Sequence, residues 1–197
     1  MRLTTANIRF LIVFFAVFFV TAVFLFSIDF VPEKPVEEVE QEAPVMQEVA
    51  YREAPTRVVI ESVGVDVVVT NPPSSESTVL DQALLAGAVR HPSSALLGEQ
   101  ATVFLFGHQS YLPVVRNPAF KAFNGVQKLE GGERVKVYSD QAVYEYEVES
   151  VSLVDADVAL IPLNSGEQRL YLSTCNSFGD PGERYVVTAT FLSRTTL

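Results

Sequence analysis

The stretch Leu170-Tyr171-Leu172-Ser173-Thr174-Cys175 sets leucines two residues apart and ends on the only cysteine of the chain. A period of two is that of a β-strand with one face in a core. The cysteine at its end is either a nucleophile or a small buried hydrophobe, and the rest of the sequence has to decide which. Downstream, a loop rich in Gly and Pro leads to a second strand-like run, Arg184–Ser193. Upstream, Ala101–Phe106 is an apolar strand feeding directly into Gly107-His108-Gln109-Ser110.

Further strands are short. Arg57–Ser62 and Val65–Thr70 are β-branched runs separated by Gly64, and Val158–Ile161 is another short run. Gly131-Gly132 opens a hairpin. With Asp140-Gln141 as its turn, Lys136 falls opposite Glu145 and Arg134 opposite Glu147, while Val137 faces Tyr144 and Val135 faces Tyr146. One face of the pair is then ionic and the other apolar, so the two patterns support a single register. Helical signals are few. Thr78-Val79-Leu80-Asp81 has capping-box spacing and starts a short helix stopped by Gly87. Asn117–Asn124 reads as one or two turns with Phe120 and Phe123 facing inward. There are no internal repeats. Many short strands with few helices predict a mainly β fold, a closed or nearly closed barrel.

The N-terminal part is of another kind. Phe10–Ile28 is 19 residues without charge or proline and holds seven phenylalanines. As a helix it is about 28 Å long, close to the hydrocarbon thickness of a bilayer. Arg2 and Arg9 precede it and Asp29, Glu33, Glu37 and Glu38 follow, a bias that puts the N-terminus in the cytoplasm and the rest outside. The run exceeds a signal-peptide apolar region and lacks a small-x-small cleavage site, so it reads as an uncleaved anchor. Residues 29–56 carry eight acidic and two basic residues with four prolines, the composition of an extended, solvated linker. The expected organisation is a cytoplasmic tail (1–9), a transmembrane anchor (10–28), a linker (29–56) and an extracytoplasmic domain (57–197).

The net charge of −10 divides into +2 for the tail, −6 for the linker and −6 for the domain, which offers nothing to nucleic acid. A single cysteine forms no intramolecular disulfide, and an unpaired thiol outside the cytoplasm is exposed to oxidation. Its presence asks for a chemical reason. A thiol attacking a carbonyl needs thiolate character, which a neighbouring histidine or cation supplies. Of the two histidines, His108 follows a buried strand and a glycine, where it can turn into a cleft. His91, between Arg90 and Pro92, reads as a surface or supporting residue. Arg184 opens the last strand and offers a fixed positive fork to a developing oxyanion. Tyr111 and Tyr144 read as packing or groove residues.

Leu172-Ser173-Thr174-Cys175, followed nine residues later by Arg184-Tyr185-Val186-Val187, resembles the sortase signature of a strand ending in Thr-Cys and a strand opening with Arg. Gly107-His108 matches the family's histidine. Gly87-Ala88-Val89-Arg90-His91-Pro92, Leu97-Gly98-Glu99 and Asp155–Leu160 are similar to the segments that flank these elements, so the resemblance spans about residues 57–194. It implies an eight-stranded β-barrel on a membrane anchor and transpeptidation outside the cell. Cys175 is then the nucleophile toward the Thr–Gly bond of an LPxTG-like C-terminal sorting signal on a secreted protein, His108 the acid and base, and Arg184 the oxyanion partner. Thr174 lines the substrate site, and the acceptor is a cell-envelope amine, or a pilin lysine in the alternative, pilin-polymerising branch. No cofactor is implied; Glu99, Asp155 and Asp157 are the acids that calcium would use, against a solvated acidic rim. Gln109 after His108 leaves the subclass open, and the linker lacks an aromatic lid motif of the pilin-polymerising kind. Two other readings stand beside this one. The same triad can serve a mainly hydrolytic peptidase, and a tethered barrel can be a binding module with an incidental cysteine.

Overall fold

The computed structural model describes residues 5–27, 51–157, 160–175 and 182–197. Two units are distinct, Met1–Glu48 and Val49–Leu197. The first contributes helix α1 (Thr5–Ser27), of which Asn7–Ser27 is long and apolar enough to cross a membrane. The second is a barrel of eight strands: β1 (Arg57–Ile60), β2 (Val65–Thr70), β3 (Ala88–Arg90), β4 (Thr102–Phe106), β5 (Arg134–Tyr138), β6 (Ala142–Asp155), β7 (Arg169–Cys175) and β8 (Glu183–Thr196). Their order around the closed barrel is β1-β2-β3-β4-β7-β8-β6-β5. Helix α2 (Ser77–Leu84) crosses from β2 to β3, which pair in parallel.

Alternation builds the core. In β7, Leu170 and Leu172 are fully buried while Tyr171, Ser173 and Cys175 face outward, half-exposed. Each buried leucine stabilises the barrel by roughly 1.5–3 kcal/mol. Val58 and Ile60 of β1, Val135 and Val137 of β5, and Tyr144 and Tyr146 of β6 fill the same interior. The β5–β6 hairpin has the expected register: Arg134 opposite Glu147, Val135 opposite Tyr146, Lys136 opposite Glu145 and Val137 opposite Tyr144. Its turn is tied by Ser139, whose Oγ accepts from the N–H groups of Gln141 and Ala142 at 3.1 and 2.9 Å.

Several local expectations are corrected. A strand the sequence pattern does not reveal is β3, Ala88–Arg90, which joins β2 and β4 through only a few residues. Leu160 and Ile161 are not in a strand, and Val158 and Ala159 lie outside the described residues; the long β6 runs to Asp155 instead. Helix α2 begins at Ser77 after Glu76 with no side-chain cap, so the Thr78–Asp81 box does not form. Gly87 does not end the helix, which has already finished at Leu84. A Cβ there would lie 2.3 Å from the Val68 carbonyl oxygen, so glycine lets β3 approach β2. Phe123 is fully buried but Phe120 is 39% exposed.

Residues 51–56, assigned to the linker by composition, are docked on the barrel. Glu53 bridges Leu97 through two backbone hydrogen bonds of 3.1 and 2.9 Å. Its buried carboxylate accepts from Arg194 Nη2 at 2.7 Å and from Ser139 Oγ. Arg194 also stacks on the Tyr51 ring at 3.7 Å and donates to the Tyr144 hydroxyl. Burial disfavours the Glu53 anion, but the Ser139 and Arg194 hydrogen bonds and the Arg194 charge outweigh it and hold the carboxyl below its ordinary range.

Candidate active site

Strand topology assembles the site before any side chain is considered. β4 and β7 run parallel, with Phe106 opposite Ser173, so both chains leave the barrel at the same rim. Gly107 continues the ladder by donating its N–H to the Ser173 carbonyl at 3.1 Å. His108 follows at once. β7 and β8 are antiparallel, and their last pair at this rim is Cys175 opposite Arg184. Parallel and antiparallel neighbours of one strand thus deliver residues from three strand ends to one place.

They line a single cleft of about 460 Å³. Its polar groups include His108, Cys175, Arg184, Ser173 and Thr174 on the barrel and Asp81 on α2. Its apolar wall is Phe104 and Phe106 from the outer face of β4 and Leu80 and Leu84 from α2. The Cys175 thiol carries no disulfide and is half-exposed. Arg184 anchors its fork by donating Nη1 to the Glu183 carbonyl at 2.9 Å.

His108 packs against Phe120 in a tilted arrangement, ring centres 5.3 Å apart and planes 53° apart, and its carbonyl accepts from the Phe123 N–H at 2.9 Å. Burial lowers the pKa of its imidazolium, and the Asp81 carboxylate partly offsets this. At neutral pH the ring is therefore mainly neutral and able to accept a proton. Gly107 allows the close packing: a Cβ there would meet the Phe123 ring at 3.2 Å and Ala122 at 3.3 Å. Thr174 is 3% exposed and its Oγ1 finds no hydrogen-bond partner among the described residues, an arrangement that costs stability unless a bound molecule completes it.

All four residues expected from the sequence, His108, Cys175, Arg184 and Thr174, line this cleft together. His91 does so too, which the sequence reading did not foresee. Its ring lies 5.9 Å from Phe104 and 6.4 Å from Phe106, and its Nδ1 accepts the Ser93 N–H at 3.3 Å. The missed signal is the antiparallel β3–β4 pairing, which carries His91 alongside Phe104, whose carbonyl accepts the His91 N–H at 2.9 Å. Of the two tyrosines, Tyr144 is buried in the core and Tyr111 is 67% exposed. Among the described residues no three acidic, His or Cys side chains gather as a metal site; Glu99 is held by Arg52 at 2.7 Å and Asp155 accepts the Asp157 N–H.

The family model of the Sortase domain matches residues 58–192, most of the chain and nearly all of the barrel. The chain belongs to the sortase family. It is similar to a sortase A of Bacillus anthracis, with 28% identity over 144 residues, 73% of this chain and 65% of that relative's length. The chain thus spans slightly under two thirds of that relative. In fold it matches the sortase A structure of Listeria monocytogenes, with a TM-score of 0.58 at 23% identity, covering 74% of this chain and 92% of the other. It matches sortase C of Streptococcus pneumoniae equally well, with a TM-score of 0.58 at 20% identity, over 75% and 72%. Sortases A and C therefore share this barrel with the present chain.

Proposed function

We propose that this sortase is a cysteine transpeptidase that cleaves an LPxTG-like sorting signal between Thr and Gly and transfers the acyl part to a cell-envelope amine. The observation that carries the reading is the β7–β8 pair of Cys175 and Arg184, with His108 delivered to the same cleft by parallel β4.

The thiol of Cys175 gives its proton to neutral His108 as sulfur attacks the scissile carbonyl carbon. The carbonyl oxygen becomes an oxyanion beside the Arg184 guanidinium, whose charge and donors are fixed before the reaction. As the tetrahedral adduct collapses, the C–N bond breaks and His108 passes its proton to the leaving amine. A thioacyl enzyme remains. In the second half the acceptor amine gives a proton to His108 and attacks the thioester, and Cys175 leaves and is reprotonated. We assign Thr174, which lines the cleft next to Cys175, to the substrate site.

Helix α1 is a candidate membrane anchor, and we assign the barrel to the extracytoplasmic side on the charge bias around it. Substrates are then secreted proteins that carry the signal at their C-terminus. No cofactor enters the scheme. The test is a panel of LPxTG-type peptides with and without an amine acceptor, following cleaved and amine-joined products. Amine-joined product dominating over hydrolysis supports transpeptidation. Hydrolysis that amine does not divert would make the enzyme a peptidase, and intact peptides throughout would remove the reading.

A further inference from the structure

The loop that follows His108 departs from the rest of the barrel in charge and in exposure. From His108 to Leu129 there is no Asp or Glu, while Arg116, Lys121 and Lys128 give +3, on a chain of net charge −10. Within it Tyr111, Leu112 and Val114 are 67%, 48% and 83% exposed, and Phe120 is 39% exposed. Leu85 at the end of α2 is exposed as well, and Asn117 Nδ2 donates to its carbonyl at 2.7 Å, joining the two segments.

This exposure is held in place by polar contacts. Asn124 clamps Ser110 with two hydrogen bonds, its Oδ1 accepting the Ser110 N–H at 2.9 Å and its Nδ2 donating to the Ser110 carbonyl at 3.0 Å. Ser110 Oγ accepts the Leu112 N–H at 3.2 Å, and Lys121 Nζ donates to the Pro113 carbonyl at 3.0 Å. The backbone at Ser110, Leu112 and Pro113 is thus tied to the protein while an aromatic and two aliphatic side chains are presented outward. Grouped exposed apolar side chains mark an interaction surface. A tyrosine and aliphatic residues flanked by cations fit the interface of an anionic bilayer, where the rings sit at headgroup level and each nearby cation adds attraction.

We propose that the Tyr111–Arg116 loop docks the barrel on an anionic lipid surface. The same chain carries a helix able to cross a bilayer, and 23 residues separate the end of that helix from Tyr51, with a fully extended limit of roughly 80 Å. Such a tether holds the loop at a high local concentration of lipid, so weak contacts suffice. Because the loop starts directly after His108, docking sets the rim of the cleft at the lipid surface, where a membrane-bound substrate or acceptor would be found. The docking itself depends on no catalytic step, so it can fail or hold independently of the proposed reaction.

The chain has no tryptophan, which makes the test direct. Full-length Tyr111→Trp, reconstituted in phosphatidylcholine vesicles with and without phosphatidylglycerol, is compared with Leu192→Trp, an exposed β8 position. The proposal expects Trp at 111 to shift to the blue and be quenched by bromine-labelled lipid when phosphatidylglycerol is present, with Trp at 192 unaffected. Arg116→Glu in the Tyr111→Trp chain should remove the quenching, and added salt should weaken it. Equal, unquenched emission from both positions would overturn the proposal, as would quenching indifferent to phosphatidylglycerol. A shift produced by sorting peptide and not by lipid would overturn it in favour of a polypeptide surface.

Discussion

Cys175 and Arg184 are cross-strand partners in the β7–β8 ladder, the last pair before the loop that connects the two strands. Directly opposed residues have Cβ atoms about 5 Å apart, so the thiol and the guanidinium stem start from neighbouring points. Truncating Arg184 should then affect chemistry more than folding. Arg184→Ala is expected to lower kcat/KM by about 100- to 1,000-fold, the usual loss on removing one oxyanion donor. Its thermal unfolding midpoint should stay near that of the parent. A loss of activity accompanied by general destabilisation would instead make Arg184 a structural residue.

The acid side of the pH profile should follow His108. Burial lowers its pKa, so the neutral, proton-accepting ring should persist to below the ordinary histidine value of 6.5. Asp81 opposes this shift by favouring the imidazolium. Removing that charge in Asp81→Asn should lower the pKa further and move the acid limb of kcat/KM to lower pH. An acid limb that is unchanged, or moved upward, would show that Asp81 does not act on His108.

Thr174 separates stability from function. Its hydroxyl is buried without a partner among the described residues, which costs on the order of 1 kcal/mol or more. Thr174→Val keeps the shape and should leave denaturant stability equal or higher while raising KM for the sorting peptide. Unaltered kinetics would mean that the hydroxyl does not meet the substrate.

At Gly107 the barrel rim and helical turn touch. Gly107→Ala places a methyl 3.2 Å from the Phe123 ring, and overpacking of this kind costs about 1–3 kcal/mol. Because His108 is the next residue, kcat should fall by more than the stability loss explains, read as reduced turnover at a temperature where the variant is fully folded.

The Glu53 clamp predicts a stability effect far from the cleft. Glu53→Gln leaves Arg194 without its carboxylate and should cost about 1–3 kcal/mol in denaturant unfolding. The native pKa lies below the ordinary value of 4.5, so the contribution is present above about that pH and lost as pH falls through the native value. The variant and parent should therefore converge in stability in acid. A gap that persists there would contradict the assignment.

What could be read from the sequence depended on how many independent patterns met at one place. The β5–β6 register was legible because charge pairing and apolar pairing both required Lys136 opposite Glu145 and Val137 opposite Tyr144. That Cys175, His108 and Arg184 share one rim was legible because each stands at or just beyond a strand end. β3 was not, since three residues cannot establish a period and its pairing depends on strands distant in sequence. Glu53 was hidden for another reason: an acidic residue in an acidic, proline-containing stretch looks solvated until its partner Arg194, 141 positions away, is located. The cleft wall was hidden because Val103-Phe104-Leu105-Phe106 is apolar on both faces, and only the barrel decides that Phe104 and Phe106 point outward. His91 followed from that same decision.

The central claim is that Cys175 becomes acylated by a sorting signal. Intact-mass measurement of the full-length chain mixed with an LPxTG-type peptide, quenched in acid, addresses it most directly. The account predicts an added mass equal to the acyl fragment through Thr, located on Cys175, released by an amine and missing in Cys175→Ala and His108→Ala. Parent protein that stays unmodified across a varied peptide panel while Cys175 remains open to alkylation would contradict it.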